Sequence, residues 1–518
     1  MKLSSTSFFI IVLILLFVSG SCNRKDVKNI NSLEKRQNYY FPVLKTNDDA
    51  IDTIAHTFNI AIGDIMSNIR PYKNGLVRKE EALLFAGLDY YGPWTRDAAI
   101  NIWSGAGLFL PDISKRTLIS DLDSTANGNV QIIGQYWDKI IWTIGAWNLY
   151  LYSGDKEFLK IAYDATCYTL SGLEKDEFDP KLNLFRGPAV YGDGISAYPD
   201  RYTQTGKYEG GEWVSTITKW AAANPDKRVK IGGGMPMFAL STNCVDYEVY
   251  QILPKIEKEL GLKVKEEWTD QSTRLKEAIN KNFWDNEKKN YRYLIDPYGN
   301  CDYQEGIGIS YALLFGVADK VQSEQVLNNT IVTKAGIPCV YPSFPRYKNG
   351  YGRHSGTVWT HVQGFWANAA AKNQDAKRFD YDFNLLTLHT WRDKQFREIY
   401  HPETGLPYGG LQESNEGPLD VWKSTERQTW GATAYLRMVF NGLFGMRFDE
   451  TGISFSPVVP HQYPNLRLLN LLYRDAVLNV SIKGQGTKVV SFTVNGNSTQ
   501  PFIPANAEGI QNIQIHLK

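Results

Sequence analysis

The sequence is poor in the residues that build metal sites and disulfide frameworks. It has only five Cys and seven His among 518 residues. The Cys downstream of the N-terminal segment show neither CxxC nor Cys/His metal spacing; they are Cys167, Cys244, Cys301 and Cys339. We therefore expect free, buried thiols and no metal site or cofactor, with a structural cation left open.

A surplus of charge of either sign is also missing. The 56 Lys+Arg nearly balance the 55 Asp+Glu, and 43% of the residues are hydrophobic. This composition excludes a basic field for nucleic acid and a disordered chain. Aromatic residues, by contrast, are plentiful at 13%, with 14 Trp and 30 Tyr. Such flat rings suit a cleft that stacks on sugar faces as well as a core.

The N-terminus has the pattern of an export signal. Lys2 precedes an apolar run from Phe8 to Val18, and small residues then lead to Cys22. This order resembles a bacterial lipobox, in which Cys22 would be lipidated and become the mature N-terminus. The alternative is cleavage by ordinary signal peptidase with Cys22 incidental. We expect a periplasmic or outer-membrane lipoprotein that touches the membrane only through this lipid anchor.

From about Asp49 to Phe444 the chain alternates helix-period stretches with loops rich in Gly, Pro and aromatics, and continuous βαβ alternation is missing. Short connections between such stretches favour antiparallel helix pairs. The resulting prediction of about a dozen helices fits an (α/α)6 toroid of six hairpins. The predicted helices are Ile51–Ile69, Thr95–Leu108, Gln131–Tyr152, Phe158–Leu173, Met237–Leu260, Trp268–Phe283, Gly306–Gly316, Ser323–Val332, Val358–Lys372, Phe383–Trp391 and Ser424–Leu443.

After Gly445 the pattern changes to short β-branched runs separated by Gly/Asn turns. This predicts a small C-terminal β domain that covers the flank of the toroid. The resulting domain organisation is a signal peptide over residues 1–22, a linker over 23–45, a catalytic toroid over 46–445 and a β domain over 446–518.

Loops at one rim of a helical toroid line its central cavity, so clusters between helices are the candidate site. The first cluster is Tyr90–Asp97. Trp94 would supply a face for a sugar ring, and Arg96 and Asp97 would hold neighbouring hydroxyls. Asp97 would equally favour the start of a helix without contacting any ligand.

Two further clusters supply carboxylates. In the second, Asp193 lies between two glycines, which also fits a simple turn, and Tyr198 follows it. In the third, Glu398 opens a segment that leads through a Gly-rich loop to Glu413 and Glu416. One of these three Glu residues is a candidate general base, although most loop carboxylates are solvated surface groups.

The fourth cluster is aromatic. Trp359, Gln363 and Trp366 fall on neighbouring helical positions, and Trp430 lies in a second aromatic segment. Stripes of this kind are usually core. A buried Gln363 nevertheless needs a hydrogen-bond partner, which sugar hydroxyls would supply.

These motifs resemble the six-hairpin glycosidases over roughly Tyr90 to Gly445, particularly glycoside hydrolase family 63 and its trehalase-like relatives. The Trp-Thr-Arg-Asp element at Trp94 is similar to the substrate-holding loop of glucoamylases. Glu398 begins a segment of the form Glu-x-Tyr-x-Pro-x-Thr-Gly, in which the family places its general base. Asp193, followed by Tyr198-Pro199-Asp200-Arg201, matches the Gly-Asp loop that carries the general acid, with slightly longer spacing.

The resemblance implies an exo-acting, inverting glycosidase on an α-linked sugar, with an α-glucoside as the first expectation. In an inverting site the two carboxyls stand about 6.5–9.5 Å apart, so that a water fits beside the anomeric carbon. Asp193 would protonate the leaving oxygen from an enclosed site, and Glu398 would activate the water. The large N-terminal β-sandwich of many relatives is not evident, which favours a shallow pocket and a small substrate or chain end.

Two other functions fit the same scaffold. A polysaccharide lyase would need a Tyr/His pair and cations that hold a uronate; among His354, His361 and His401, only His354 has an adjacent cation, Arg353. A surface glycan-binding lipoprotein without catalysis would keep the sugar contacts, but the presence of both candidate carboxylates argues against it. All three hypotheses predict a carbohydrate partner and no nucleic acid.

Overall fold

The computed structural model describes residues 41–46, 52–203, 215–413 and 419–518. The predicted signal peptide, the lipidation residue Cys22 and the reserve base Glu416 lie outside these residues. Phe41–Lys518 forms one compact unit. No helix among the described residues is long and apolar enough to cross a membrane.

The helices occupy most of the region between residues 53 and 443. They are α1 (Thr53–Ser67), α2 (Thr95–Asn101), α3 (Gly107–Phe109), α4 (Pro111–Ser120), α5 (Trp142–Ser153), α6 (Lys156–Glu177), α7 (Ile217–Ala223), α8 (Leu240–Glu259), α9 (Glu266–Phe283), α10 (Gly306–Leu314), α11 (Lys320–Asn329), α12 (Thr360–Lys372), α13 (Ala376–Asp393) and α14 (Thr429–Arg437). π-helical turns extend α2 over Ile102–Ala106 and α14 over Met438–Leu443.

Six of these helices form a closed inner ring. Following the ring, α2 packs on α5, α5 on α8, α8 on α10, α10 on α12, α12 on α14, and α14 returns to α2. Outer helices pack against this ring, for example α9 on α8 and α13 on α12. The architecture is the predicted (α/α)6 toroid, and the fold class is confirmed.

Glycines let neighbouring inner helices approach closely. A Cβ at Gly145 of α5 would stand 2.7 Å from the Cα of Ala99 on α2. A Cβ at Gly364 of α12 would stand 2.6 Å from the side chain of Ala434 on α14. Both distances are shorter than carbon atoms tolerate, so larger residues would force the ring apart.

Some predicted helices differ in their extent; for example, the helix predicted over Phe383–Trp391 spans Ala376–Asp393. The apolar pattern predicts a helix over Gln131–Tyr152, but residues 130–132 pair instead with Leu122–Ser124 as a short antiparallel ladder. The regular α-helix begins only at Trp142. Similarly, the helix predicted from Ser424 begins at Thr429. Before α5 a short ladder uses apolar residues that periodicity alone assigns to the helix, and before α14 the polar residues 424–428 stay in the loop.

The strands are mostly short ladders within loops, followed by a true β domain. They are β1 (Val43–Thr46), β2 (Ile69–Asn74), β3 (Val77–Leu84), β4 (Leu122–Ser124), β5 (Val130–Ile132), β6 (Phe178–Asp179), β7 (Leu184–Phe185), β8 (Phe238–Ala239), β9 (Trp284–Asp285), β10 (Asn290–Tyr291), β11 (Leu294–Asp296), β12 (Gly299–Cys301), β13 (Gln304–Glu305), β14 (Val340–Tyr341), β15 (Val358–Trp359), β16 (Ile399–Tyr400), β17 (Leu411–Gln412), β18 (Asp420–Val421), β19 (Met446–Asp449), β20 (Gly452–Phe455), β21 (Asn465–Tyr473), β22 (Ala476–Lys483), β23 (Val489–Val494), β24 (Asn497–Ser498), β25 (Phe502–Pro504) and β26 (Gly509–Leu517).

The C-terminal β domain contains a six-stranded sheet in the order β1-β21-β22-β26-β23-β24. Only β22 and β26 pair in parallel. Strand β1 comes from before the toroid and pairs with β21 at the edge of the sheet. Residues 43–45, which were predicted as linker, therefore belong to a strand. The sequence pattern did not indicate this strand because its pairing partner lies more than 400 residues away in sequence.

The β domain packs against the flank of the toroid at the end of α5. The backbone N–H of Arg474 donates to the carbonyl of Tyr152 at 2.8 Å. The ring of Phe448 meets Tyr152 edge-on, with centroids 4.8 Å apart. The predicted free thiols are confirmed, since Cys244, Cys301 and Cys339 are buried and unpaired and Cys167 is free at an intermediate depth.

Candidate active site

The N-terminal ends of the inner helices gather at one rim of the toroid, and the long segments that lead into them carry the candidate residues. Asp97 lies in the first turn of α2. Asp193 lies in the loop over residues 187–203, whose residue Gly187 bridges to Phe238 just before α8. Glu398 immediately precedes β16, which pairs with β15 at the start of α12. The topology therefore brings three distant segments to one rim.

Asp193 faces two nitrogen groups from other segments. One carboxylate oxygen lies 3.9 Å from Nη2 of Arg96, and the other lies 3.8 Å from Nε2 of His354. The backbone N–H of Gly194 donates to Oδ1 of Asp193 at 3.0 Å. The Asp193 side chain is 43% exposed. The expectation of an enclosed site for this residue is therefore wrong, because its loop presents the carboxyl to solvent.

Glu398, in contrast, has no exposed side-chain surface. The Tyr90 hydroxyl donates to Oε1 at 2.7 Å, and Nη2 of Arg353 donates to Oε2 at 2.7 Å. Burial, followed by the charge of Glu398, raises the pKa of Tyr90 well above its ordinary value, so this hydroxyl remains a donor. The Glu398 carboxylate is thus held from both sides in one orientation.

Asp97 interacts electrostatically with both of these carboxylates and with Arg96. Asp97 is buried, and its Oδ1 has no hydrogen-bond partner among the described residues. Burial raises the pKa of Asp97 to about 8; Arg96 opposes the shift, and Glu398 and Asp193 reinforce it. The surroundings of Asp97 therefore favour its protonated, neutral form. Since both other carboxylates act on Asp97, the three acids lie near one another.

Arg96 does not lie free beside Asp97 for a sugar, as the clamp hypothesis expected. Its Nη1 donates to Oδ2 of Asp138 at 3.0 Å and to the carbonyl of Val190 at 3.1 Å. Burial lowers the pKa of Arg96, but the neighbouring carboxylates of Asp193, Asp138 and Asp97 outweigh it and raise the pKa above its ordinary value. Arg96 therefore compensates a cluster of acids, and only its Nη2 faces the Asp193 side of the pocket.

Aromatic rings form one wall of the site. Trp359 stacks on His354 with centroids 4.4 Å apart, and Trp430 stacks on His361 at 4.2 Å. The two Trp rings meet edge-on at 5.5 Å. Burial lowers the pKa of both His side chains well below the ordinary value, so the imidazoles are neutral at pH 7. Together these four residues form a buried, uncharged aromatic cluster that reaches Asp193 through His354.

The rim itself carries exposed aromatic side chains. Trp94 is 48% exposed and contacts Tyr91 edge-on at 5.7 Å. Trp422, which the sequence interpretation did not single out, is 40% exposed and lies over the Arg353 guanidinium, 5.1 Å from ring centroid to Cζ. These rings face solvent next to the buried acids, as rings that contact a sugar do.

Three of the predicted sugar contacts have fully buried side chains: Tyr198, Gln363 and Trp366. The Tyr198 hydroxyl donates to the carbonyl of Gly192 and accepts from the N–H of Ala189. Gln363 finds its partner in the protein, since Nε2 donates to the carbonyl of Asp382 on α13 at 3.2 Å. The helical stripe on α12 therefore faces the outer helix at Gln363 and belongs to the core.

Arg346 ties the Asp193 loop to the segment of the reserve base Glu413. Its Nε donates to Oε1 of Glu413 at 3.2 Å. Its remaining donors reach three acceptors in the 187–203 loop, which are the carbonyls of Ile195 (3.1 Å) and Tyr198 (2.8 Å) and Oδ1 of Asp200 (2.8 Å). Glu413 is thus engaged in holding this loop, and it is a poorer candidate base than Glu398.

The sequence interpretation missed the partners that orient the carboxylates. Arg353 and His354 were considered only for a lyase, whereas the structure places them against Glu398 and Asp193. Tyr90 opened the first cluster without a role of its own, and Asp138 was not selected at all. The sequence feature that could have identified such partners was the polar Arg353-His354 pair within a Gly-rich loop. Among the described residues, no group of three or more His, Cys, Asp or Glu side chains is arranged to hold a metal ion.

A rim of carboxylates and aromatic rings on a closed (α/α)6 toroid defines the class of toroidal glycosidases. Residues 90–430 match the family model described as the mannosylglycerate hydrolase MGH1-like glycoside hydrolase domain. The chain therefore belongs to the MGH1-like glycoside hydrolases. Residues 446–498 match the C-terminal domain of glycosyl hydrolase family 65. These matches confirm the resemblance to six-hairpin glycosidases and the enzyme class.

Solved structures share the fold at low sequence identity. The GH78 family rhamnosidase of Bacillus sp. GL1 has a TM-score of 0.58 and 13% identity, covering 92% of this chain and 44% of the rhamnosidase. This chain thus spans less than half of that protein. The GH63 mannosylglycerate hydrolase from Thermus thermophilus in complex with glucose has a TM-score of 0.53 and 12% identity, covering 74% and 99% of the two chains. No curated protein matches this chain.

Proposed function

We propose that this protein removes the terminal sugar of an α-linked glycoside with inversion, using Asp193 as general acid and Glu398 as general base. The observation that carries the proposal is the contrast between the two carboxylates. Asp193 is accessible beside Arg96 and His354, whereas Glu398 is buried and held by Tyr90 and Arg353. An accessible carboxyl can reach the glycosidic oxygen of a bound substrate, and a carboxylate fixed by an arginine and a tyrosine is held in one orientation for water.

The reaction balances with these two groups alone. Asp193 gives its proton to the glycosidic oxygen as the bond from C1 to that oxygen breaks. Water forms the new bond to C1 from the opposite face, and Glu398 takes the proton that the water loses. Asp193 ends ionised and Glu398 protonated, so a proton exchange with solvent restores the starting state.

Glu398 must present one of its two oxygens to the attacking water. The pair with Arg353 is buried and oppositely charged, so breaking it would leave an uncompensated charge. The bond from Tyr90 to Oε1 joins Glu398 to a neutral hydroxyl. We infer that Oε1 is the oxygen that receives the water, with the Tyr90 hydroxyl as its second neighbour.

The shape of the site favours an exo action on a small substrate or chain end. Asp97 and Glu398 are buried and the Arg96 side chain is 11% exposed, whereas Trp94 and Trp422 are exposed at the rim. A terminal sugar would meet the buried polar groups, and the next unit would lie against the rim aromatics. A lyase is less compatible, because Arg353, the cation beside His354, is occupied by Glu398.

The identity of the sugar is tested by a panel of substrates. An α-glucoside remains the first expectation, and mannosylglycerate and α-rhamnosides enter the panel because of the structures that share the fold. Proton NMR of the first product should show the β anomer from an α-linked substrate. Initial release of the α anomer would refute inversion, and an unsaturated product absorbing in the ultraviolet would establish a lyase.

We also propose that the protein is an exported lipoprotein modified at Cys22. The support is the order of basic, apolar and small residues before this cysteine. In a bacterial host, labelled fatty acid should enter the wild-type protein and be absent from Cys22→Ser. Labelling of Cys22→Ser would contradict lipidation at this residue.

A further inference from the structure

Arg437 is a buried cation without an acidic partner among the described residues. It ends α14, and the residue is only 4% exposed. Its guanidinium lies over the rings of Trp103 and Phe365, with Cζ 4.2 and 4.6 Å from their centroids. Nε donates to Oδ1 of Asn368 at 3.1 Å, while Nη1 is buried without a hydrogen-bond partner in the described part of the chain.

A second arginine repeats this arrangement nearby. Arg447 on β19 donates through Nη1 to the carbonyls of Asn441 and Met446. Its Nη2 is likewise buried and without a partner in the described part of the chain. No described carboxylate forms an ion pair with either Arg437 or Arg447. Both arginines therefore satisfy part of their hydrogen bonding with neutral oxygens and leave their charges uncompensated.

These groups lie inside the toroid on the side away from the catalytic rim, and we call this region the floor. Arg437 and Lys372 are the last residues of α14 and α12. Lys372 donates through Nζ to the carbonyl of Leu314 at 2.6 Å, at the end of α10. Burial and the charge of Arg447 lower the pKa of Arg437 to about 10, so it stays charged at pH 7.

The charges around the floor do not balance. The charge of Glu248 stabilises the charged form of Lys372. No carboxylate of the described residues does so for Arg437, where the only favourable groups are the hydroxyls of Tyr152 and Tyr311. A buried charge is strongly unfavourable unless it is paired. Stacking on aromatic rings offsets only part of this cost.

We propose that a small inorganic anion, a halide such as chloride, binds at the floor of the toroid against the free Nη1 of Arg437 and Nη2 of Arg447. The Tyr311 hydroxyl, which is buried and also without a partner among the described residues, is the third candidate donor. Trp103 and Phe365 form an apolar surface beside the Arg437 guanidinium, at the proposed anion site. Such a surface favours a weakly hydrated monatomic anion over phosphate. The ion would join the ends of inner helices and would not take part in the reaction.

A crystal of the wild-type protein grown or soaked with bromide tests the proposal directly. We expect an anomalous peak within hydrogen-bond distance of Nη1 of Arg437. Water or no density at this place in bromide would overturn the proposal. This measurement does not depend on activity, so it stands apart from the assignment of Asp193 and Glu398.

Thermal unfolding supplies a second test in solution. At constant ionic strength, replacing gluconate by chloride should raise the Tm of the wild-type protein along a saturating curve, because an ion bound only by the folded state stabilises it by mass action. Arg437→Met should lose this dependence. Arg186→Met should keep it, since Arg186 is a similarly buried arginine paired with Asp179 at 3.2 Å. Equal chloride dependence in both variants would contradict the assigned site.

Discussion

Nη2 of Arg353 donates to Oε2 of Glu398 at 2.7 Å, and the two side chains are only 8% and 0% exposed. A buried pair of this kind fixes the carboxylate, because separating it leaves an uncompensated charge in the interior. The other oxygen, Oε1, accepts from the neutral hydroxyl of Tyr90. Glu398 therefore has one fixed and one exchangeable oxygen, which suits a residue that must receive a proton from water.

Replacing Glu398 by Gln should lower turnover by about 10²–10⁴-fold, the usual contribution of a general base. The loss should be similar for natural glycosides and glycosyl fluorides, because water attack needs the base with either leaving group. Glu403→Gln is the matched control, since Glu403 lies in the same segment but is exposed. Steady-state kinetics checks this prediction, and full activity of Glu398→Gln would refute the site.

Replacing Asp193 by Asn should act selectively. Natural glycosides should be cleaved far more slowly, because their leaving oxygen needs a proton. Glycosyl fluorides and activated aryl glycosides should remain partly cleavable, since a good leaving group needs little protonation. The ratio of kcat values for the two substrate types measures the effect. An equal loss on both types would show that Asp193 is not the acid.

Replacing Arg346 by Met should release the loop that carries Asp193, because Arg346 joins this loop to Glu413 by hydrogen bonds. We expect kcat on natural glycosides to fall by about 10²-fold, as for a misplaced catalytic group. The loss on glycosyl fluorides should be smaller, and Arg346→Lys should restore part of the activity. A uniform loss on all substrates would indicate general destabilisation and not positioning of the acid.

The raised pKa of Asp97 predicts a pH dependence of binding. Below about pH 8 Asp97 is neutral and can donate a hydrogen bond to a sugar hydroxyl; above it, the carboxylate adds negative charge beside Glu398 and Asp193. The KM of the wild type should therefore rise as the pH passes about 8. Asp97→Asn keeps a neutral side chain, so its KM should stay level over this range. A parallel rise in both proteins would contradict the role of Asp97.

Glu305 predicts a pH dependence of stability. It has no exposed surface, and burial raises its pKa to about 8, with Ser241 opposing the shift. Between the unfolded value of 4.5 and about 8 the folded state holds the proton and the unfolded state does not. Stability therefore falls as pH rises through this window, by at most about 1.4 kcal/mol per pH unit from this group.

Glu305→Gln should remove this part of the pH dependence, so the variant should gain stability over the wild type as pH increases from about 5 to about 8. Denaturant unfolding at several pH values measures the difference. Glu157→Gln is the control, since Glu157 is an exposed residue of α6. An unchanged pH dependence in Glu305→Gln would show that the buried carboxyl is not the titrating group.

Several features followed from the sequence by local physics. Helical periodicity and short connections predicted the toroid, and alternating β-branched runs after Gly445 predicted the β domain. The rim clusters at Asp97, Asp193 and Glu398 were also recognisable, because loops between toroid helices carry polar residues that cannot serve the core.

Other features required the tertiary structure. Strand β1 pairs with β21 across more than 400 residues, and no local pattern encodes a partner so distant. A stripe on α12 indicated a sugar surface, but Gln363 faces α13 and bonds to Asp382. Arg353 reaches Glu398 only because β15 and β16 pair beside it. Helices, strands and loop motifs depend on residues that are close in sequence. Hydrogen-bond partners and burial depend instead on which distant segments the closed ring brings together.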